Sequence, residues 1–194
     1  FNFEWSNQNL FYNQYKRSRS FFENTELESS GLPTAKELEL LEPFEDQLPA
    51  RVFTEEYNPP STKVKGGIRT NLRTAKRMLD KAGYTLKNKK LYSPDGKQVK
   101  FEILLYDTGF ERIVLPFVQN LQVLGIDVEP RRVDVNQYIE RLREFNFDMV
   151  VSTFPQSNSP GNEQRNYWNS KAADQRDSRN LAGIKNPAID ALVE

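Results

Sequence analysis

Three clusters of side chains in this sequence carry groups suited to holding a small solute. Ser152-Thr153-Phe154-Pro155-Gln156-Ser157-Asn158 offers hydroxyls, amides and one ring, donors and acceptors without a charge. Arg17 and Ser20, followed by Phe21 and Phe22, combine a planar guanidinium suited to a carboxylate with an aromatic backing. Arg165, Tyr167 and Trp168 set a cation beside two rings, a combination that stacks on a base or ring. Ligand contacts are therefore expected from Arg17, Ser20, Phe22, Ser152, Phe154, Gln156, Ser157, Arg165, Tyr167 and Trp168. Each cluster also has a plainer reading: a surface turn, a solvated arginine, and rings that pack a short helix onto its domain.

The chain has neither Cys nor His. Thiolate and imidazole nucleophiles, histidine bases and the usual zinc sites are thereby excluded. Carboxylate chemistry remains, with Asp107 and Glu111 as the pair to consider, but the segment after Val151 supplies no acid to meet them. Asp174, Asp177 and Arg179 read as a solvated loop. No glycine-rich phosphate loop, dinucleotide fingerprint or calcium loop occurs. The expectation is a protein without catalytic residues, cofactor or metal.

Lys and Arg number 27, matched by 27 Asp and Glu. This balance argues against a generally basic nucleic-acid binder. Locally the balance breaks: Glu23 to Ala50 is mostly acidic, and Lys63 to Lys100 is rich in Lys and Arg. A second reading follows, an anion-binding interaction module on the basic helix 69–81, whose binding would weaken steeply with salt.

The elements that position these groups show in the apolar pattern. From Lys100 to Pro155 short apolar runs alternate with amphipathic ones, giving strand, helix, strand, helix, strand, and crossover helices imply parallel strands. Sheets of this kind bind ligands beyond the carboxyl ends of their strands, which points at Ser152–Asn158. Pro130 marks Ile126 to Val133 as an edge strand. Thr108 with Glu111, and Asp134, read as helix caps; the helix after Asp134 is expected to bury Val135, Tyr138, Ile139, Leu142 and Phe145. Pro116 predicts a late start or a bend in its helix. Upstream, Ser6 reads as a cap for a helix through Leu10, Phe11 and Tyr15. Thr34 and Glu37 have capping-box spacing, and four prolines make Glu42 to Thr62 an extended strap. Asn71 to Ala82 is an amphipathic helix stopped by Gly83, and Pro94-Asp95-Gly96 turns a hairpin. Downstream, Asn162 to Trp168 reads as a short helix, and Asn186-Pro187 opens the last one. The fold class is α/β: a mixed, mostly parallel sheet flanked by helices, preceded by a hairpin and a strap. Residues 1–62 supply helices and strap, and residues 63–194 the core. Hydrophobic residues make up 37% of the chain, enough for a modest core, and no apolar run is long enough to span a bilayer. Phe1 opens inside an apolar pattern and Glu194 closes inside a helical one, so a piece of a longer protein is expected.

Four segments in this order resemble the carboxyl-terminal lobe of family 5 extracellular solute-binding proteins, the oligopeptide, dipeptide and nickel receptors of ABC importers. AKRMLDKAGYTLKNKKLYSPDGKQVKFEILLY is similar to that family's helix, Ala-Gly-Tyr stop, hairpin and strand. LPFVQNLQVLGIDVEPRRVDVNQYIERLREFNFDMVV is similar to the crossover that follows. FNFEWSNQNLFYNQYKRSRSFFENTELESSGLP and SRNLAGIKNPAIDALVE resemble the subgroup of receptors for oligopeptides and microcin C-type antibiotics. The resemblance implies a partial lobe of a periplasmic-binding-protein-like receptor that closes over an extended, peptide-like solute held by main-chain hydrogen bonds. It also implies a periplasmic monomer that delivers to an importer's membrane permease and does not bind nucleic acid. Phe154 falls where the family often has Trp, whereas the aspartate that commonly pairs with a peptide amino terminus has no counterpart here.

Overall fold

Asn2, not Ser6, opens the first helix of the computed structural model, which describes residues 1–194. The Trp5 backbone N–H donates to Asn2 Oδ1 at 3.2 Å, so α1 runs Phe3–Leu10 and Ser6 becomes a buried interior residue. Left-handed Tyr12 and Asn13 follow, which keeps Tyr15 out of the helix. The capping box forms as expected ahead of α2 (Ala35–Leu41), with Thr34 N–H donating to Glu37 Oε2 at 2.6 Å. The expected strap is helical in its first part, a 3₁₀ helix covering Glu42–Gln47 and α3 covering Arg51–Thr54, and without helix or strand from 55 to 62. Pro43 falls in the first turn of the 3₁₀ helix, where its missing N–H leaves no bond unmade, so proline starts this element instead of preventing it.

The basic helix α4 spans Ile68–Lys81 and ends before Gly83, whose φ of 85° needs a residue without Cβ. Strands β1 (Thr85–Lys87) and β2 (Lys90–Tyr92) pair antiparallel across Asn88 and Lys89, both at positive φ. The Pro94-Asp95-Gly96 turn then leads into β3 (Lys100–Leu105), with Gly96 N–H donating to Ser93 O at 2.9 Å. Asp107, not Thr108, caps α5 (Thr108–Val123) by accepting from Gly109 N–H, and the helix continues through Pro116. Gly125 ends the connection at φ 82°, where a Cβ would lie 2.9 Å from Leu91 N. The edge strand β4 (Asp127–Arg132) follows, then α6 (Val135–Arg143), capped by Asp134, and β5 (Met149–Val150). After β5 come α7 (Glu163–Trp168), a 3₁₀ turn (Ser170–Asp174) and α8 (Pro187–Val193), capped by Asn186.

The main sheet is wholly parallel, in the order β4-β3-β5, and the antiparallel β1-β2 pair stands as a separate sheet. Ile103, Leu105, Val114, Val118 and Val128 form its core, with Phe101, Phe117 and Leu121 packed against them. Of the apolar residues expected to be buried on α6, only Tyr138 is; Val135 and Ile139 are exposed because the helix turns its single aromatic inward.

Two compact units divide the chain. One comprises Phe1–Arg17, Pro60–Glu140 and Phe147–Val151; the other comprises Ser18–Pro59, Arg141–Asn146 and Ser152–Glu194. The backbone passes between them five times, after residues 17, 59, 140, 146 and 151. In the second unit Tyr167, Ala172, Ala173 and Ala188 are buried beside the polar Ser20, Asn169 and Asn180.

Candidate functional site

The strand order places β3 between its two parallel neighbours, so the chain reverses direction across the sheet at the carboxyl end of β3, the position where open α/β sheets bind ligands. In the first unit this end is aromatic. Tyr106 and Tyr138 rings lie 4.7 Å apart, and Tyr138 OH donates to Val151 O at 3.1 Å. Desolvation, then the neighbouring Tyr106, raises the Tyr138 phenol above its ordinary pKa, which keeps it a donor. The bond holds Val151, where the chain leaves the first unit for the last time.

Within the second unit, the segment after β5 folds onto α7 through rings. Phe154 stacks on Trp168 with centroids 5.2 Å apart and an interplanar angle of 27°, and meets Tyr167 edge-on at 5.4 Å. Phe21 stands edge-on to Trp168 at 5.0 Å. Tyr167 is 2% exposed; its hydroxyl donates to Pro155 O and accepts from Arg179 Nη1, each at 3.2 Å. Two amides extend the cluster. Trp168 Nε1 donates to Gln164 Oε1 at 3.0 Å, and Gln164 Nε2 donates to Gln156 Oε1 at 2.5 Å. An open groove of about 640 Å³ borders the cluster, lined by Phe21, Phe22, Gln164, Trp168, Leu192 and Val193 among others. It offers ring faces, aliphatic edges and one amide, which suits an uncharged or mixed solute better than an ion.

The structure thus groups five of the expected contacts, Phe22, Phe154, Gln156, Tyr167 and Trp168, in one unit around α7. Ser152 is exposed at the start of the segment, and Ser157 closes a small turn through its hydroxyl and Ser159 O at 2.7 Å. Arg165 points elsewhere: Nε donates to Val193 O at 3.2 Å and Nη2 to Glu194 O at 2.7 Å, gripping the end of α8. Ser20 is buried and accepts from Phe22 and Ser29 N–H groups, a loop-closing role. Arg17 belongs to the other unit, where it donates to Pro60 O and lies 5.8 Å above the Phe3 ring. Phe21, read from the sequence as aromatic backing beside Ser20, joins the site, and Gln164 completes it without having been expected there. Gln164 was legible only as the residue four before Trp168 on a helix.

Some residues of the two alternative readings have structural uses. Asp107 is a helix cap, and Glu111 faces Arg132 at 3.6 Å, so neither stands as half of an acid pair. On α4, Lys76 pairs with Asp80 at 2.7 Å and Arg77 donates to Thr74 Oγ1, while Arg69 and Arg73 are exposed. No group of three acidic side chains converges as a metal site.

The sequence signature of the bacterial extracellular solute-binding proteins, family 5 Middle, matches residues 1–176. The chain belongs to this family. The probable peptide-binding protein YejA of Agrobacterium fabrum is 47% identical over 194 residues, which is 100% of this chain and 32% of the relative. The peptidoglycan-binding protein YepA of the same bacterium is 37% identical over 99% of this chain and 31% of its own length. Among solved structures, the oligopeptide-binding protein AppA of Bacillus subtilis, in complex with a nonapeptide, superposes with a TM-score of 0.54. That match is at 25% identity, over 62% of this chain and 24% of AppA. This chain therefore spans about a third of the length of the curated family 5 relatives it matches. The resemblance carried by the four sequence segments is borne out, and with it the α/β lobe of a periplasmic binding protein.

Proposed function

We propose that this chain is part of the carboxyl-terminal lobe of a family 5 receptor that captures oligopeptides or peptide-like solutes between two lobes and delivers them to the permease of an ABC importer. The observation that carries the reading is the ring and amide cluster of Phe154, Trp168, Gln156 and Gln164. It is built on the segment leaving the last parallel strand, in a chain whose family binds solutes. Neutral donors, acceptors and ring faces suit a peptide, whose main chain offers amides and whose side chains vary. The absence of an acid between Ser152 and Asn158 moves the recognition of any amino terminus to another part of the receptor. The same reading makes the protein a non-catalytic, monomeric periplasmic component; no helix here is long and apolar enough to cross a membrane.

The test is native mass spectrometry of the full-length protein purified from its host, then calorimetry with short peptides and sugar-linked peptides. A co-purifying peptide-like mass and saturable binding are expected. Full-length protein that carries nothing and gives no heat with either class would overturn the reading.

A further inference from the structure

The amide of Gln156 has a direction imposed on it from outside. An indole N–H can only donate, so Trp168 Nε1 fixes Gln164 with its oxygen toward the ring and its nitrogen away. Gln164 Nε2 then donates to Gln156, which fixes that amide in turn: oxygen toward Gln164, nitrogen away. Gln156 Nε2 is buried and has no hydrogen-bond partner. A flip of Gln156 would set two N–H groups against each other, so the relay cannot relieve this donor internally. Buried donors without acceptors are rare, because leaving one unpaired forfeits the hydrogen bond it made with water. Here the orphan lies at the end of a relay whose other members, Gln164 and Trp168, line the groove, on a segment without helix or strand.

We infer that Gln156 Nε2 donates to an amide carbonyl oxygen of the bound solute, and that Trp168 and Gln164 are positioning residues that hold the donor in this orientation. The segment 152–160 shifts to admit the carbonyl. The inference rests on the receptor reading above and deepens it, since it names a main-chain group of a peptide as what the site recognises. A neutral amide serves a carbonyl of any residue, so it contributes affinity without side-chain selectivity.

The experiment uses the full-length protein, calorimetry with tetra-alanine and with peptides recovered from the purified receptor, and melting of the ligand-free form. Gln156→Met keeps length and packing but removes the donor. It is expected to weaken peptide binding about 3- to 10-fold, the scale of one hydrogen bond. Melting of the free protein is the folding control: the orphan is gone but Gln164 Nε2 loses its acceptor, so only a small change is expected. Trp168→Phe frees the relay to flip and should weaken binding less. Combined with Gln156→Met it should cost less affinity than the sum of the two single losses, because no donor is left for the relay to orient; strictly additive losses overturn the positioning role of Trp168. Unchanged affinity in Gln156→Met overturns the inference while leaving the receptor reading intact. A wild-type protein that binds none of these peptides sinks the receptor reading itself and the inference with it.

Discussion

The two units of this chain are held together by different physics. In the first, Ile103, Leu104 and Leu105 of the central strand are at most 2% exposed, and hydrogen-bonded strands flank them on both sides. Burial of branched aliphatic side chains and a parallel ladder do the stabilising. The second unit has no strand, and its buried apolar residues besides Tyr167 are alanines. Its organiser is Asn180, fully buried: Nδ2 donates to Asn169 O at 3.1 Å and Ile184 O at 2.9 Å, and Oδ1 accepts from Ile184 N–H at 2.9 Å. The lesson is that a rigid apolar layer carries the sheet, while the candidate site is built where polar ties and ring contacts replace deep apolar packing. Such ties fix geometry but bury little area, which leaves the site free to adapt.

The strongest blow to this comparison is aimed at the sheet. Ile103→Ala should destabilise the first unit by about 2–5 kcal/mol, read from chemical denaturation followed by circular dichroism. A cost under about 1 kcal/mol would mean that the apolar layer is not its main support. Next in size, Asn180→Ala strands two carbonyls and one N–H and should cost about 1–3 kcal/mol. Hydrogen exchange should then rise at Ile184 N–H but not along β3; a rise in both would show that the units melt as one block. Phe154→Leu keeps the apolar bulk and removes the ring contacts with Tyr167 and Trp168, so stability should fall by only about 1–2 kcal/mol. Solute affinity of the full-length protein should drop as well. A stability loss as large as that of Ile103→Ala would recast the rings as core.

The smallest effect concerns a polar tie in the first unit. Glu4 accepts from Ser61 Oγ at 2.6 Å, Thr62 Oγ1 at 2.9 Å and Thr62 N–H at 3.2 Å. Desolvation pushes its carboxyl up, but the hydrogen bonds from Ser61, its own backbone and Thr62 outweigh it and pull the pKa down to about 2 from 4.5. A pKa depressed by folding means that the ionised form stabilises the native state. The contribution is complete above pH 4.5 and is lost as pH falls toward about 2. Glu4→Gln should lower the melting temperature slightly at pH 7 and flatten its fall between those limits. An unchanged acid limb in the variant would show that the tie is idle.

Legibility in the sequence follows the same division. The order β3-α5-β4-α6-β5 was readable because apolar periodicity records burial on a sheet, and Pro130 fell on the edge strand where its missing N–H is tolerated. The hairpin tip was not, since Asn88-Lys89 adopts two positive φ values without a glycine to announce them. Prolines misled between Glu42 and Thr54, where one of them starts a helix. At the site, ring types pointed to Phe154, Tyr167 and Trp168. The roles of Arg165 and Ser20 depended on carbonyls and N–H groups far along the chain, which side-chain identity does not reveal.

The five passages of the backbone between the units carry a consequence for inheritance. Neither unit is a continuous stretch of gene, so a single recombination event cannot exchange the unit bearing the rings and amides for another. A crossover after residue 151 would carry the stretch Ser152–Glu194, with Phe154, Gln156, Gln164 and Trp168, but leave Phe21 and Phe22 behind, so the two sides of the groove must be matched again after any such exchange.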